Sequence, residues 1–227
     1  MTFQICASHA LVPMFAIALA GCVSTIFESP PGTAASACDP RWVGNWDVQM
    51  ANPKAQGDDK LVLRVGAQCK TLSVVENGNE QRDLDHAVLA FASIRGNRIA
   101  AFKLDPDSNG TKSKPAEWET GYHYFSYVAN DGQIRLRQVD DERIAKLLID
   151  GKLSGRTEKI TRYPGASQPA ESGTLHNFVA GTPQEMVHAL ATYPLFSDKS
   201  AIILKRIAAA PIEANPPAKA LQKPVQP

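Results

Sequence analysis

Residues 121–139 read GYHYFSYVANDGQIRLRQV, and this stretch does most to decide the fold class. Two runs rich in aromatic and aliphatic residues, 121–129 and 133–139, flank the triplet Asn130-Asp131-Gly132. Asn, Asp and Gly tolerate the positive φ angles of tight hairpin turns, so the pattern predicts two antiparallel strands.

Alternation of inward-facing and outward-facing residues, which is typical of strands, recurs on both sides of this hairpin. Arg95-Gly96-Asn97 gives a second hairpin signal. About eight antiparallel strands with hairpin links close most easily into a barrel, because a barrel leaves no exposed edge. The further runs are 42–50, 61–65, 72–74, 86–94, 98–104, 152–161, 174–179 and 200–206. The chain is therefore expected to be mainly β.

Two short helices interrupt the strands. Asp140 is a suitable N-cap for the first, and Gly151 ends it. Thr182, Pro183 and Glu185 form a capping box that predicts the start of the second. We expect both helices to plug or cover a barrel end.

The stretch Gly44-Asn45-Trp46 on the first predicted strand resembles the Gly-x-Trp signature of lipocalins. The resemblance implies a lipocalin-like β-barrel domain over 38–207. It also implies that Trp46 closes one barrel end beneath a basic residue of the last strand. Arg206 or Lys205 stands at the matching place, and Gly44 lets another chain approach closely.

The amino-terminal segment has an apolar core at 10–20 that ends in Leu19-Ala20-Gly21-Cys22. That quartet resembles the lipobox of bacterial lipoproteins, which implies cleavage before Cys22 and acylation of its thiol. Val23 after the cysteine resembles the sorting pattern for the outer membrane, facing the periplasm. An ordinary signal peptide or a buried apolar strand is the alternative.

The chain then divides into a signal peptide over 1–21 and a flexible tether over 22–37, followed by the domain. Residues 208–227 are rich in Pro and Ala and are expected to be a disordered tail. Of the four cysteines, Cys6 lies in the predicted signal peptide and Cys22 would carry the lipid. In an oxidising compartment, the other two, Cys38 and Cys69, are expected to form one disulfide. Two buried free thiols are the alternative.

Charge and motifs exclude several classes of function. Lys and Arg total 24 against 23 Asp and Glu, so nothing in the sequence suggests a nucleic-acid partner or a polybasic membrane patch. Asp105, Asp107 and Asn109 match the first half of a calcium loop, but position 116 is Ala and not Glu. A metal-free turn is favoured there, and no cofactor is expected.

Tyr122, Tyr124, Phe125 and Tyr127 form the aromatic-dense strand and could line a ligand cavity, although core packing is favoured. Tyr122 and Tyr124 are expected on the opposite face from Phe125 and Tyr127. No catalytic motif is present and the histidines share no metal spacing, so an enzyme is not expected.

The sequence predicts a membrane-anchored lipoprotein that serves as a binding or interaction module in the bacterial cell envelope. Its partners are the membrane, through the lipid on Cys22, and either an envelope protein or a small apolar ligand carried inside the barrel. The interior discriminates between these two, because bulky residues fill a barrel and small ones leave a cavity. An envelope enzyme with scattered catalytic residues is a further alternative.

Overall fold

The computed structural model describes nine segments of the chain: 23–32, 38–51, 60–69, 71–83, 88–103, 121–130, 132–160, 174–199 and 201–207. Several predictions fall outside these described residues. They concern the signal peptide at 1–21, the lipid on Cys22, the calcium half-motif of Asp105, Asp107 and Asn109, and the tail at 208–227.

Twelve strands and two α-helices are described. The strands are β1 (Val23–Phe27), β2 (Gly44–Met50), β3 (Leu61–Val65), β4 (Leu72–Glu76), β5 (Asn79–Asp83), β6 (Val88–Ile94), β7 (Asn97–Lys103), β8 (Tyr122–Asn130), β9 (Gln133–Gln138), β10 (Gly155–Ile160), β11 (Thr174–Val179) and β12 (Ile202–Ile207). The helices are α1 (Asp141–Ile149) and α2 (Pro183–Thr192), and a short 3-10 helix, Pro40–Trp42, precedes β2.

Nine of the strands form one antiparallel path in the order β6-β7-β8-β9-β12-β2-β3-β4-β5. The strands β10, β11 and β1 join it at β8, through the pairing of Phe27 with Tyr122. The mainly β, antiparallel prediction is confirmed. No ladder joins β5 to β6 within the described residues, so the sheet is not closed into a barrel there.

The first core lies inside the curl of this sheet. Side chains from β3 and β4, near one end of the path, share it with side chains from β6 and β7 at the other end. The sheet must therefore bend round on itself to bury them together. The residues of this first core include Trp42, Trp46, Leu63, Val74, Phe91 and Phe102.

A second core covers the outer face of β6, β7 and β8. Ile144 and Leu148 of α1 and Met186 and Ala189 of α2 pack there against residues such as Tyr124. The helices thus lie on the outside of the sheet, and the expectation that they plug a barrel end is wrong. The reason is that β7 and β8 are apolar on both faces, with Tyr124–Tyr127 all buried, and the outer face needs a cover.

The helix caps follow the sequence signals. The Asp140 side chain accepts a hydrogen bond from the backbone of Arg143 at the start of α1. Thr182 and Glu185 form a capping box at the start of α2, with Pro183 in the first turn. Both predicted starts are confirmed, because capping depends on neighbours in sequence and not on the tertiary fold.

Two strands were not predicted. At the turn between β4 and β5, Asn77 and Gly78 have φ angles of 51° and 82°, as a two-residue hairpin turn requires. The Asn-Gly pair was therefore an available signal for β5. The predicted turn at Arg95 and Gly96 adopts the same geometry, with φ angles of 50° and 80°.

The other additional strand is β1, which corrects the prediction of a flexible tether for residues 23–32. Val23 to Phe27 pairs in parallel with β11, from Leu175 to Val179. Thr25, Ile26 and Phe27 are buried. The segment is ordered because it completes the second core, a tertiary contact that local composition does not reveal.

Candidate functional site

The curled sheet is fastened at the end where β2 begins and β12 ends. We call this the latched end and define it by Asp39, Arg41, Trp42, Trp46 and Arg206. Arg206 pairs with Trp46 across the β12–β2 ladder. Its guanidinium also donates hydrogen bonds to the carbonyl oxygens of Val43 and Arg41, each at 2.9 Å. One side chain thereby ties the last strand to the segment that leads into β2.

Gly44 makes room for this contact. Its φ is +132°, and a Cβ built there would lie 2.7 Å from Nη1 of Arg206. Trp46 is completely buried, and its indole nitrogen donates to the carbonyl oxygen of Trp42 at 2.7 Å. The predicted trio of Gly44, Trp46 and Arg206 is thus brought together in the structure.

The latched end includes a pair of opposite charges, Asp39 and Arg41. Arg41 donates two side-chain hydrogen bonds to Asp39, and the hydroxyl of Tyr127 donates a third at 2.7 Å. Burial opposes ionisation of Asp39, but the hydrogen bonds from Arg41 and Tyr127 outweigh it and lower its pKa. Burial and the neighbouring Asp39 raise the pKa of Tyr127. Asp39 is therefore an anion neutralised within the protein.

The disulfide Cys38–Cys69 is present, with the two Cα atoms 5.4 Å apart. It joins the residue before Asp39 to the tight turn between β3 and β4. The predicted pairing of these two cysteines is confirmed. The covalent link fixes the start of the latched end to the neighbouring hairpin.

The interior next to the latched end is filled with aromatic rings. Trp42 is completely buried, with ring centroids 5.3 Å from Tyr127, 5.6 Å from Phe91 and 5.8 Å from Phe102. Phe102 also meets Phe125 edge to face at 5.6 Å. This part of the interior is consequently packed by protein side chains.

The aromatic strand β8 divides its side chains as expected. Phe125 and Tyr127 belong to the first core, while Tyr122 and Tyr124 face the second. Tyr124 stacks on Phe27, and burial raises its pKa. All four rings of the predicted ligand-lining set therefore make core contacts.

Sequence reasoning missed a buried polar cluster where β1, β11 and α1 meet. Thr25 donates to Asp141 at 2.6 Å, and the Asn177 amide donates to Thr25 at 3.1 Å and to the Asp141 carbonyl at 2.9 Å. The hydroxyl of Thr157 donates to Asn177. Burial raises the pKa of Asp141 to about 6, against the opposing hydrogen bond from Thr25. No local sequence signal joins these residues, because they come from four separate elements.

The described histidines, His123, His176 and His188, lie on three separate elements: β8, β11 and α2. Burial lowers the pKa of His123 to about 4 and also lowers that of His176, where Glu158 opposes the shift. His188 is exposed on α2. In the part of the chain that the structure covers, no three His, Cys, Asp or Glu side chains are grouped to hold a metal ion.

Comparison with known proteins gives no relative for this chain. No family model, no curated protein and no solved structure matches it. Among the described helices, none is long and apolar enough to cross a membrane.

Proposed function

We propose that the protein is a lipoprotein of the bacterial cell envelope, anchored by a lipid on Cys22, whose domain acts as a binding or interaction module. The domain is a lipocalin-like barrel with a filled interior. It is held at the outer membrane on the periplasmic side. Its role is binding and not catalysis.

The position of β1 supports the anchor. The lipobox quartet predicts cleavage just before Cys22, and the first described strand begins at Val23, the next residue. Such a cleavage leaves every described strand intact. An ordinary signal-peptidase cleavage after the small residues Ala35-Ser36-Ala37 would instead remove β1 and the completely buried Phe27.

The latched end supports the lipocalin-like assignment. The Gly44-x-Trp46 stretch opens β2, and Arg206 of the last described strand lies over the indole. This is the arrangement that the resemblance implied for a barrel end. The antiparallel order of nine strands around one core fits the same assignment.

The observation that carries the functional choice is the packed interior. Trp42, Phe91, Phe102 and Tyr127 occupy the space in which a carrier would hold its ligand. Their bulk favours an interaction module that works through its outer surface over a carrier of a small apolar ligand.

Two measurements test this proposal. Radiolabelled palmitate should be incorporated into the wild-type chain and not into Cys22→Ser, and equal labelling of both would refute the anchor. Native mass spectrometry of the protein purified from its host should give the mass of the acylated chain alone. A stoichiometric apolar ligand would refute the interaction module and favour the carrier.

A further inference from the structure

The outer face of β8, β9 and β12 carries three cationic side chains and an exposed valine. We propose that this face binds an extended acidic segment of a protein partner, in which carboxylates at alternating positions meet Arg135 and Arg137. The inference rests on the proposed function and deepens it, because it names the surface and the partner chemistry of the interaction module.

The two arginines lie on the side of β9 that faces away from the first core. Ile134 and Leu136 belong to that core, so Arg135 and Arg137 stand on the opposite face of the sheet. Val128 of β8 pairs in register with Arg135 and shares its face. The helices cover the outer face of β6, β7 and part of β8, but Val128 is 61% exposed. The cover therefore ends before Val128, and the face is open to solvent there.

Each arginine is oriented by a neutral neighbour. Nε of Arg135 donates to the side-chain oxygen of Gln133 at 3.2 Å, and Nε of Arg137 donates to the hydroxyl of Ser126 at 3.1 Å. Ser126 is itself buried, so it holds Arg137 from beneath. These bonds leave the two amino groups of each guanidinium for another acceptor, and their planar fork fits a carboxylate.

The two arginines differ in their partners from arginines elsewhere on the domain. Three of those are paired with acids of the same chain, as Arg41–Asp39, Arg143–Asp140 and Arg156–Glu158. Within the described segments, Arg135 and Arg137 form no such ion pair, and neutral acceptors hold them instead. Both cations are therefore available to an acid from outside the chain.

The charge of the face is positive on its two central strands. Neither β9 nor β12 contains an acidic residue, and their cations on this face are Arg135, Arg137 and Lys205. On β2, Asp47 lies level with Lys205, but its carboxylate accepts a hydrogen bond from the Gln49 amide at 2.6 Å. Asp131, in the turn between β8 and β9, lies outside the described residues. An acidic partner complements the charge of β9 and β12.

The spacing of the arginines favours an extended partner. Residues two apart on a strand share a face and lie about 6.5–7 Å apart along it. Acidic residues at alternating positions of an extended segment have the same spacing, so two of them meet Arg135 and Arg137 together. Since Gln133 and Ser126 hold the guanidinium groups in place, carboxylates at fixed positions suit them better than a diffuse anionic surface.

Apolar side chains on both sides of Arg135 add to the face. Val128 of β8 and the partly exposed Ile203 of β12 each pair in register with Arg135. A segment that lies along β9 covers both of them while its acidic side chains reach the arginines. Arginine beside buried apolar surface is the composition that protein interfaces favour.

A peptide titration tests the match. The acylated full-length chain, in neutral detergent, is titrated with a fluorescent peptide of alternating glutamate and threonine, and anisotropy reports binding. Replacing Arg135 and Arg137 together by Gln should weaken binding about ten-fold, because each exposed ion pair contributes little. Arg95→Gln with Arg98→Gln removes the same charge from exposed residues of the β6–β7 hairpin and should leave binding unchanged. Asp131→Asn should not weaken binding.

A second peptide has the same number of glutamates at every third position, so that successive carboxylates face opposite sides of an extended chain. It should bind more weakly than the alternating peptide. Equal binding of the two peptides, or equal weakening by the two double Gln variants, would overturn the inference.

Photochemical cross-linking in the host tests the native partner. With p-benzoylphenylalanine at Val128, the cross-linked segment, sequenced by mass spectrometry, should carry acids at alternating positions. Ile149, which is 77% exposed at the end of α1, is the matched control position and should not give this adduct. A lipid adduct, a segment without acids, or no adduct that depends on Arg135 and Arg137 counts against the inference.

These outcomes are separate from those that test the proposed function. If the chain is acylated and free of ligand but neither peptide nor cross-link engages this face, only the partner assignment fails. If the chain lacks the lipid or retains an apolar ligand, the proposed function fails whatever the peptides do.

Discussion

The rings of Phe27 and Tyr124 lie parallel, with an interplanar angle of 3° and centroids 3.9 Å apart. Phe27 is completely buried, and the Tyr124 hydroxyl donates a hydrogen bond to the carbonyl oxygen of Ser29. This pair fixes β1 to the outer face of β8. It makes a segment next to the proposed lipid site part of the folded domain.

Gly121→Ala should destabilise the protein by about 1–3 kcal/mol, because a Cβ there overlaps Ile26 and lies 2.8 Å from the carbonyl oxygen of Phe27. Urea unfolding measures the change. Gly132→Ala is the matched control, since its added Cβ meets nothing within 4 Å. Equal losses for the two variants would mean that β1 does not pack against Gly121.

Trp46→Ala should lower the free energy of unfolding by about 3–5 kcal/mol, because it empties a completely buried site. Arg206→Ala should cost about 1 kcal/mol, since its guanidinium lies 4.2 Å from the indole centroid at an exposed position. The double variant should lose less than the sum of the two. Lys205→Ala, on the adjacent exposed residue, serves as the control. Strictly additive losses would contradict a stabilising contact between Arg206 and Trp46.

Replacing Cys38 and Cys69 together by Ser should cost about 3–4 kcal/mol, because the bond closes a loop with a sequence separation of 31. Urea unfolding of the wild type with and without reductant should give a similar difference. If the reduced protein keeps the full stability of the oxidised protein, the disulfide does not constrain the unfolded chain as this argument requires.

Asp141→Asn should stabilise the protein at pH 7 by about 1–3 kcal/mol. Burial raises the folded pKa of Asp141 from 3.8 to about 6, so the unfolded state loses its proton first and wild-type stability falls as the pH rises from 4 through 6. Asn still accepts the hydrogen bond from Thr25. The gain should disappear below pH 4. A stability difference independent of pH would contradict the assignment.

Most of the strands could be predicted because their signals are local. The alternation in 121–139, the turn at Arg95 and Gly96, and the capping box at Thr182 depend on neighbours within a few residues. The contact of Arg206 with Trp46 was also anticipated, through the resemblance to lipocalins and the pairing of first and last strands.

The placement of the helices and the role of residues 23–32 could not be predicted in this way. The amphipathic spacing of α1 predicts that one face of the helix is buried, but it does not predict which element covers that face. Likewise, residues 23–32 look like a tether until β11 and Tyr124 are beside them. The cluster of Thr25, Asp141 and Asn177 was missed for the same reason, since its members are far apart in the chain.

The sequence by itself determined the mainly β class, the hairpins, the helix caps and the cysteine pairing, because each follows from short-range backbone preferences or from counting thiols. Only the tertiary structure decided that aromatic rings fill the interior and that the helices cover the outer face of the sheet. It also decided that Thr25, Asp141 and Asn177 meet in one buried polar cluster. Burial depends on which distant segments become neighbours, and that is set by the packing of the whole sheet.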